Sequence, residues 1–209
     1  MQFLTDWLVV FSVGCLAVTS PGPNLAITLR NSLAYSRQSG IYTALGLAAG
    51  NLVHTTYCLL GIGLVISQSI LLFSALKWAG AAYLIYVGCQ ALRSQKSAAI
   101  TSARSTQAIS RITAVQMGFL TNLLNPKVTL FFLALFTQII QPETPLWVQV
   151  IYGLTIVALE FTWFALVSLL VSQKAVKQQF QAVSHRLERG MGIMLIALGL
   201  RLALAQNSN

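Results

Sequence analysis

Two prolines and a glycine interrupt the first apolar stretch of the chain. The run Thr19-Ser20-Pro21-Gly22-Pro23-Asn24 follows apolar residues from Phe3 to Val18 and leads straight into a further apolar segment, Leu25 to Leu29. Pro21 and Pro23 have no N–H, and in a continuous helix each would clash with the carbonyl four residues back, at Ala17 and Thr19. A helix must break here, and both carbonyls are expected to be left free. In lipid an unpaired backbone group costs several kcal/mol, so such a break is expected where it is buried in protein or faces a cavity.

The surroundings of the break are those of a membrane protein. Charged residues make up 8% of the chain and hydrophobic ones 56%, against roughly 25% charged in soluble domains. A bilayer core takes about 20 apolar residues per helix, and six runs approach that length: 3–29, 41–66, 70–92, 112–140, 146–171 and 190–205. The first residues carry no positive stretch and no small-residue cleavage site, so the first run is expected to stay as a span. The net charge of +9 would suggest nucleic acid in a soluble protein, but the basic residues cluster between the apolar runs. Arg30 and Arg37, then Arg93, Lys96, Arg104 and Arg111, then Lys174, Lys177, Arg186 and Arg189 are ten of the 13. All ten fall in or beside connections one, three and five. Connections two (Ser67 to Ser69) and four (Gln141 to Pro145) have none, which predicts the odd connections in the cytoplasm and both termini outside. Cys15, Cys58 and Cys89 stand singly in apolar runs and read as packing residues.

The third connection is rich in Ser, Thr, Ala and Gln and reads as a flexible cytoplasmic linker, dividing the chain into a three-span repeat at 1–93, a linker at 94–111 and a second three-span repeat at 112–209. The halves share landmarks. Gly14 precedes Pro21 by seven residues and Gly118 precedes Pro126 by eight; His54 follows Pro21 by 33 and Glu160 follows Pro126 by 34. Lys77-x-x-Gly80 and Arg189-x-x-Gly192 recur near the end of each half. Repeats of three spans must be inverted across the membrane, and inverted repeats with broken helices are typical of secondary transporters. The expected fold is therefore an all-α membrane protein of six transmembrane helices, arranged as two inverted three-helix repeats with broken helices in spans one and four.

The second break is Asn122-Leu123-Leu124-Asn125-Pro126-Lys127. Asn125 suits an N-cap and Pro126 the first helical position, so a half-helix is expected to begin there. Asn24, or Ser20 with Pro21, could start its counterpart in span one. Two helix N-termini offer partial positive charge to a carboxylate. Carbonyls freed at Ala17, Thr19 and Asn122 would suit an ammonium, and the two together fit a zwitterionic amino acid. Ser20, Pro21, Gly22, Pro23, Asn24, Asn122, Asn125, Pro126 and Lys127 are the candidate substrate-binding residues. Prolines can also serve only to kink packed helices. Lys127 could complete a carboxylate site or pair with an acidic neighbour. Glu160, the one acidic residue deep within a span, could bind an ammonium, carry a proton or pair with Lys127. His54 is a candidate proton relay or a cross-helix hydrogen bonder, with Asn51 one turn earlier to support it. The small residues Gly40, Gly46, Ala48, Ala49, Gly50, Gly61 and Gly63 are expected to pack span two against the break in span one. No metal-ligand spacing, catalytic constellation or phosphate-binding loop is present, so no cofactor is expected and an ATP-driven pump lacks its engine.

The run S-P-G-P-N at 20–24 followed by Ser32, Gly40, Gly46, Gly50 and His54 resembles the amino-terminal signature of the LysE/RhtB family of amino-acid exporters. G-F-L-T-N-L-L-N-P-K at 118–127 is similar to the second family motif, and the glycine-spaced segment ending Arg201-Leu202 to the C-terminal one. The resemblance implies a bacterial cytoplasmic-membrane exporter of amino acids or their derivatives, driven by proton exchange. Family substrates include homoserine, threonine, leucine, lysine and cysteine. With Glu160 as the one intramembrane carboxylate, a small neutral or weakly hydrophobic substrate is expected over a dibasic one. The expected partners are an amino acid, protons and the bilayer, with no nucleic acid and with a homo-oligomer left open. A membrane scaffold whose breaks serve packing is the alternative, and a channel is disfavoured by the lack of a charged ring.

Overall fold

A computed structural model describes residues 2–68, 109–141 and 143–170, together with scattered helical positions at 75–93 and 189–200. Among the described residues there are six helices and no strand: α1 (Gln2–Thr19), α2 (Pro23–Ala34), α3 (Arg37–Gln68), α4 (Arg111–Leu123), α5 (Pro126–Ile139) and α6 (Leu146–Leu170). The apolar runs 70–92 and 190–205, the linker residues 94–108 and the C-terminal motif lie wholly or largely outside the described residues.

The ends of these helices follow from local chemistry. α2 continues past Arg30 to Ala34, where the N–H groups of Tyr35 and Ser36 both turn back to the Asn31 carbonyl at 3.2 Å. Arg30 therefore lies on a helix, and the first connection shrinks to Tyr35 and Ser36. Ser36 Oγ accepts the Ser39 N–H at 3.0 Å, satisfying one of the donors that the first turn of α3 leaves open. α3 then runs through Gln68, taking in most of the expected second connection. Ser110 caps α4 by accepting the Thr113 N–H at 3.0 Å.

Both proline-bearing stretches bend the chain. The axes of α1 and α2 meet at 54°, and those of α4 and α5 at 57°. Among the described residues α6 is long and apolar enough by itself to cross a membrane, and each bent pair reaches that measure when its two helices are taken together. α3 has the length, 32 residues or about 48 Å, but carries Asn51, His54, Thr55 and Thr56 in its middle.

α6 buries Val148, Tyr152, Gly153, Ile156, Glu160, Phe164 and Val167 along one face. The other face exposes Leu154, Phe161, Leu166 and Leu169, an apolar surface suited to lipid. Two apolar cores form on the inner side. One joins α1, α5 and α6 through Val10, Val13, Phe132, Phe136, Tyr152 and Ile156. The other joins α2, α3 and α6 through Leu25, Leu29, Ala44, Leu47, Phe164 and Val167. Along α6 the buried Glu160 falls between Ile156 of the first core and Phe164 of the second. Along α3, Asn51 and His54 fall between Leu47 and Cys58. A polar layer is thus enclosed between two apolar ones.

The small residues of α3 do not simply face the first break. A Cβ on Gly46 would strike the backbone of Val115 and Phe119, and one on Gly118 would strike the Thr43 carbonyl. α3 and α4 therefore cross backbone to backbone through reciprocal glycines. Farther along α3, a Cβ on Gly50 would land on the Asn122 side chain, and one on Gly40 on Ser32 of α2 and Ser168 of α6. α3 is central, but its closest approach is to α4. Cys15, Cys58 and Cys89 are free thiols, and Cys58 is buried in the first core.

Candidate functional site

The two breaks meet. α5 starts as the sequence predicts, with Pro126 in the first helical position and Asn125 Oδ1 accepting the Lys127 N–H at 3.1 Å. α2 starts differently from either expected form. Its N-cap is Gly22, in extended conformation and without a side-chain cap, and Pro23 opens the helix. Asn24 and Ser20 are thereby released from capping, and both reach across to the other break. The Asn125 carboxamide donates to Asn24 Oδ1 at 3.1 Å. The Lys127 ammonium donates to Ser20 Oγ, and its distance to the Pro21 carbonyl is 3.4 Å.

Glu160 lies at the centre of this contact and is 4% exposed. Its Oε1 accepts from Asn24 Nδ2 at 2.8 Å and from Asn122 Nδ2 at 3.3 Å. The same Asn122 amide donates to Asn51 Oδ1 at 3.0 Å. Asn51 thus supports Asn122 and, among the described residues, is linked to His54 through it. His54 Nε2 lies 3.2 Å from the Asn122 carbonyl oxygen, and its Nδ1 faces the Tyr57 hydroxyl. One connected set of polar groups therefore runs over both breaks, α3 and α6. Apart from Asn122–Glu160, each of its cross-helix links joins a residue of α1–α3 or the first break to one of α4–α6 or the second break.

Two of the three carbonyls expected to be free, those of Ala17 and Asn122, are hydrogen-bonded. Ala17 O accepts the Ser20 N–H at 3.3 Å, because the chain turns before it breaks. Asn122 O accepts the Asn125 N–H at 3.0 Å and faces His54 as well. The carbonyl that meets an ammonium is that of Pro21, and the ammonium is the chain's own Lys127. The opposite need is also present: Asn122 Oδ1 and Asn31 Oδ1 are buried acceptors with no hydrogen-bond partner among the described residues. An unmet buried acceptor costs about 1–3 kcal/mol, and Asn122 Oδ1 belongs to the very side chain that holds Glu160.

Electrostatically the cluster has two poles. Lys127 and the first turns of α2 and α5 make one side positive, and Glu160 with its neighbouring amide oxygens makes the other negative. Of the residues singled out from the sequence, Ser20, Pro21, Asn24, Asn122, Asn125, Lys127, His54 and Glu160 contribute polar contacts to the cluster. Gly22 and Pro23 shape it through the backbone, as Pro126 does by opening α5. A Cβ on Gly22 would lie 3.9 Å from the Lys127 ammonium, which is ordinary contact. Tyr57 is the member the sequence reading missed. Its spacing of three residues from His54 on one helix is the signal that could have found it.

A sequence model of the LysE type translocator family matches residues 15–206. The chain is 29% identical to the homoserine/homoserine lactone efflux protein of Salmonella typhimurium, over 97% of this chain and 98% of that one. It is 27% identical to the threonine efflux protein of Escherichia coli K12, over 99% of each. It is 30% identical to the membrane protein YrhP of Bacillus subtilis, over 95% of this chain and 98% of that one. No solved structure matches the chain.

Proposed function

Because the chain belongs to the LysE type translocator family, we propose that it exports a small neutral amino acid or a derivative from the bacterial cytoplasm, by proton antiport across the inner membrane. The observation that carries this reading is the two-poled polar cluster enclosed between two apolar cores. The substrate carboxylate would take the place of Ser20 and Pro21 at the Lys127 ammonium, supported by the N-termini of α2 and α5. The substrate ammonium would sit against Glu160 and the unmet Asn122 Oδ1. Seating it would part the Asn24–Asn125 link between the breaks, so binding itself would loosen one half from the other. The efflux proteins among the relatives, named for homoserine and threonine, support a substrate that is small and uncharged in its side chain.

The bent pairs α1–α2 and α4–α5 are read as spans one and four, each broken at its prolines, within two inverted three-helix repeats of which the second and fifth spans are α3 and α6. The packing supports this pairing. Inversion exchanges α1 with α4 and α3 with α6, so the contact of α4 with α3 should have a counterpart between α1 and α6. A Cβ on Gly118 would meet α3, and one on Gly14 would meet Ile156 and Leu159 of α6. His54 and Glu160 are exchanged in the same way: His54 faces Asn122 at the second break, and Glu160 faces Asn24 at the first. Rocking of one repeat against the other would expose the cluster to either side in turn. Return of the carrier would take up a proton at Glu160 or His54.

Counterflow in proteoliposomes tests the reading. Purified protein loaded with an unlabelled amino acid is expected to accumulate the labelled form of at least one small neutral amino acid, saturably. A complete lack of exchange across a panel of amino acids would leave a membrane scaffold as the better account.

A further inference from the structure

His54 has a different partner at each ring nitrogen and is 1% exposed. Nε2 lies 3.2 Å from the Asn122 carbonyl oxygen, and a carbonyl can only accept, so the hydrogen of that bond belongs to Nε2. In the neutral ring Nδ1 then carries the lone pair, and the group facing it is the Tyr57 hydroxyl, which donates. The ring faces are fixed too. Phe132 stacks on the imidazole at 5.5 Å and 26°, and the Tyr57 ring meets it edge-on at 5.3 Å and 79°.

We propose that the Asn122 carbonyl holds His54 in the Nε2–H tautomer, and that Tyr57 is the positioning residue at Nδ1, the atom that gains and loses a proton. Two consequences follow from the geometry. When Nδ1 is protonated it becomes a donor, and the Tyr57 hydroxyl must turn to accept, while Nε2–H stays on Asn122 in both states. This contact between α3 and the second break is therefore constant, and the change is passed to Tyr57, which is 37% exposed. Moreover the Asn122 carbonyl has no proton to hand on, so this bond cannot relay a proton between His54 and Glu160. Around the ring α3 supplies Tyr57, α4 the uncharged Asn122 and α5 the uncharged Phe132. The charged members of the cluster, Lys127 at the head of α5 and Glu160 on α6, lie beyond them, Glu160 being connected to His54 through Asn122.

The tautomer can be read without transport. In full-length protein labelled with 15N-histidine, His185→Gln leaves His54 as the single histidine of the two in the chain. At alkaline pH its spectrum is expected to show a protonated Nε2 and an unprotonated Nδ1, with Nδ1 alone gaining a proton on acidification. Tyr57→Phe, which removes only the hydroxyl, is expected to keep the Nε2–H tautomer and to shift the nitrogen signal and the titration midpoint of Nδ1. A neutral ring protonated at Nδ1 in the parent, or an Nδ1 signal and titration untouched by Tyr57→Phe, would overturn the proposal. Its relevance to proton coupling rests on the exporter reading, but a lack of amino-acid exchange would sink that reading and leave the spectra unchanged.

Discussion

Glu160 receives hydrogen bonds from two carboxamides on different helices, Asn24 on α2 and Asn122 on α4. A carboxyl group so held is fixed in place between the two breaks, where the proposed substrate ammonium would meet it. Glu160→Gln keeps the shape and removes the charge. Hydrogen bonds to charged groups contribute about 1.5–3 kcal/mol, so apparent substrate affinity is expected to fall by roughly tenfold to a hundredfold. The pH profile of export is expected to flatten in the same variant, and a profile that kept its shape would reassign the proton to His54 or elsewhere. Glu160, His54 and Lys127 stand out in the sequence because ionisable side chains are rare within apolar runs and costly there. Their partners do not stand out. Asn51 and Asn122 are 71 residues apart, and nothing local tells Asn51 to face that amide instead of His54.

At the scale of helices, the breaks were the most legible part of the chain, since proline forbids the continuous helix whatever surrounds it. The Asn125 cap and the Pro126 start were readable for the same local reason. The start of α2 was not, because Asn24 is a good capping residue drawn away by Glu160 and Asn125, and Gly22 takes its place. If the bends place the two helix starts around a common site, Pro21→Ala and Pro126→Ala should abolish export while the protein still inserts in the membrane; normal export by both variants would remove the basis for a broken-helix site. The crossing of α3 and α4 was legible as a concentration of glycines but not as to its partner. Gly118→Ala must push the Thr43 backbone away, and overpacking of this kind costs about 1–3 kcal/mol, which a lowered melting temperature in detergent would register. Gly61 has nothing within 4 Å of where a Cβ would lie, so Gly61→Ala is the matched control on α3 and is expected to leave the melting temperature unchanged or raised. Equal losses in both variants would mean that the crossing is looser than described.

For the whole molecule, the low charge content and the long apolar runs pointed to a membrane protein, and the repeat of landmarks suggested an inverted plan. The meeting of the two breaks over Glu160 was beyond the sequence, since it depends on α1 packing on α6 and α4 on α3. Six spans with basic odd connections would put both termini outside the cytoplasm. Reporter fusions are expected to find both there, and a cytoplasmic C-terminus would contradict either the span count or the orientation. The central claim is that one cluster holds both ends of a zwitterion, with Lys127 at its carboxylate and Glu160 at its ammonium. Counterflow competition measures this directly, comparing the exchanged amino acid with its decarboxylated amine and its deaminated acid. The account predicts that only the intact amino acid competes at its own concentration range, each truncated analogue being weaker by at least about tenfold, the equivalent of one lost charged contact. An amine or an acid that competed as well as the amino acid would show that one pole alone does the binding, and would contradict it.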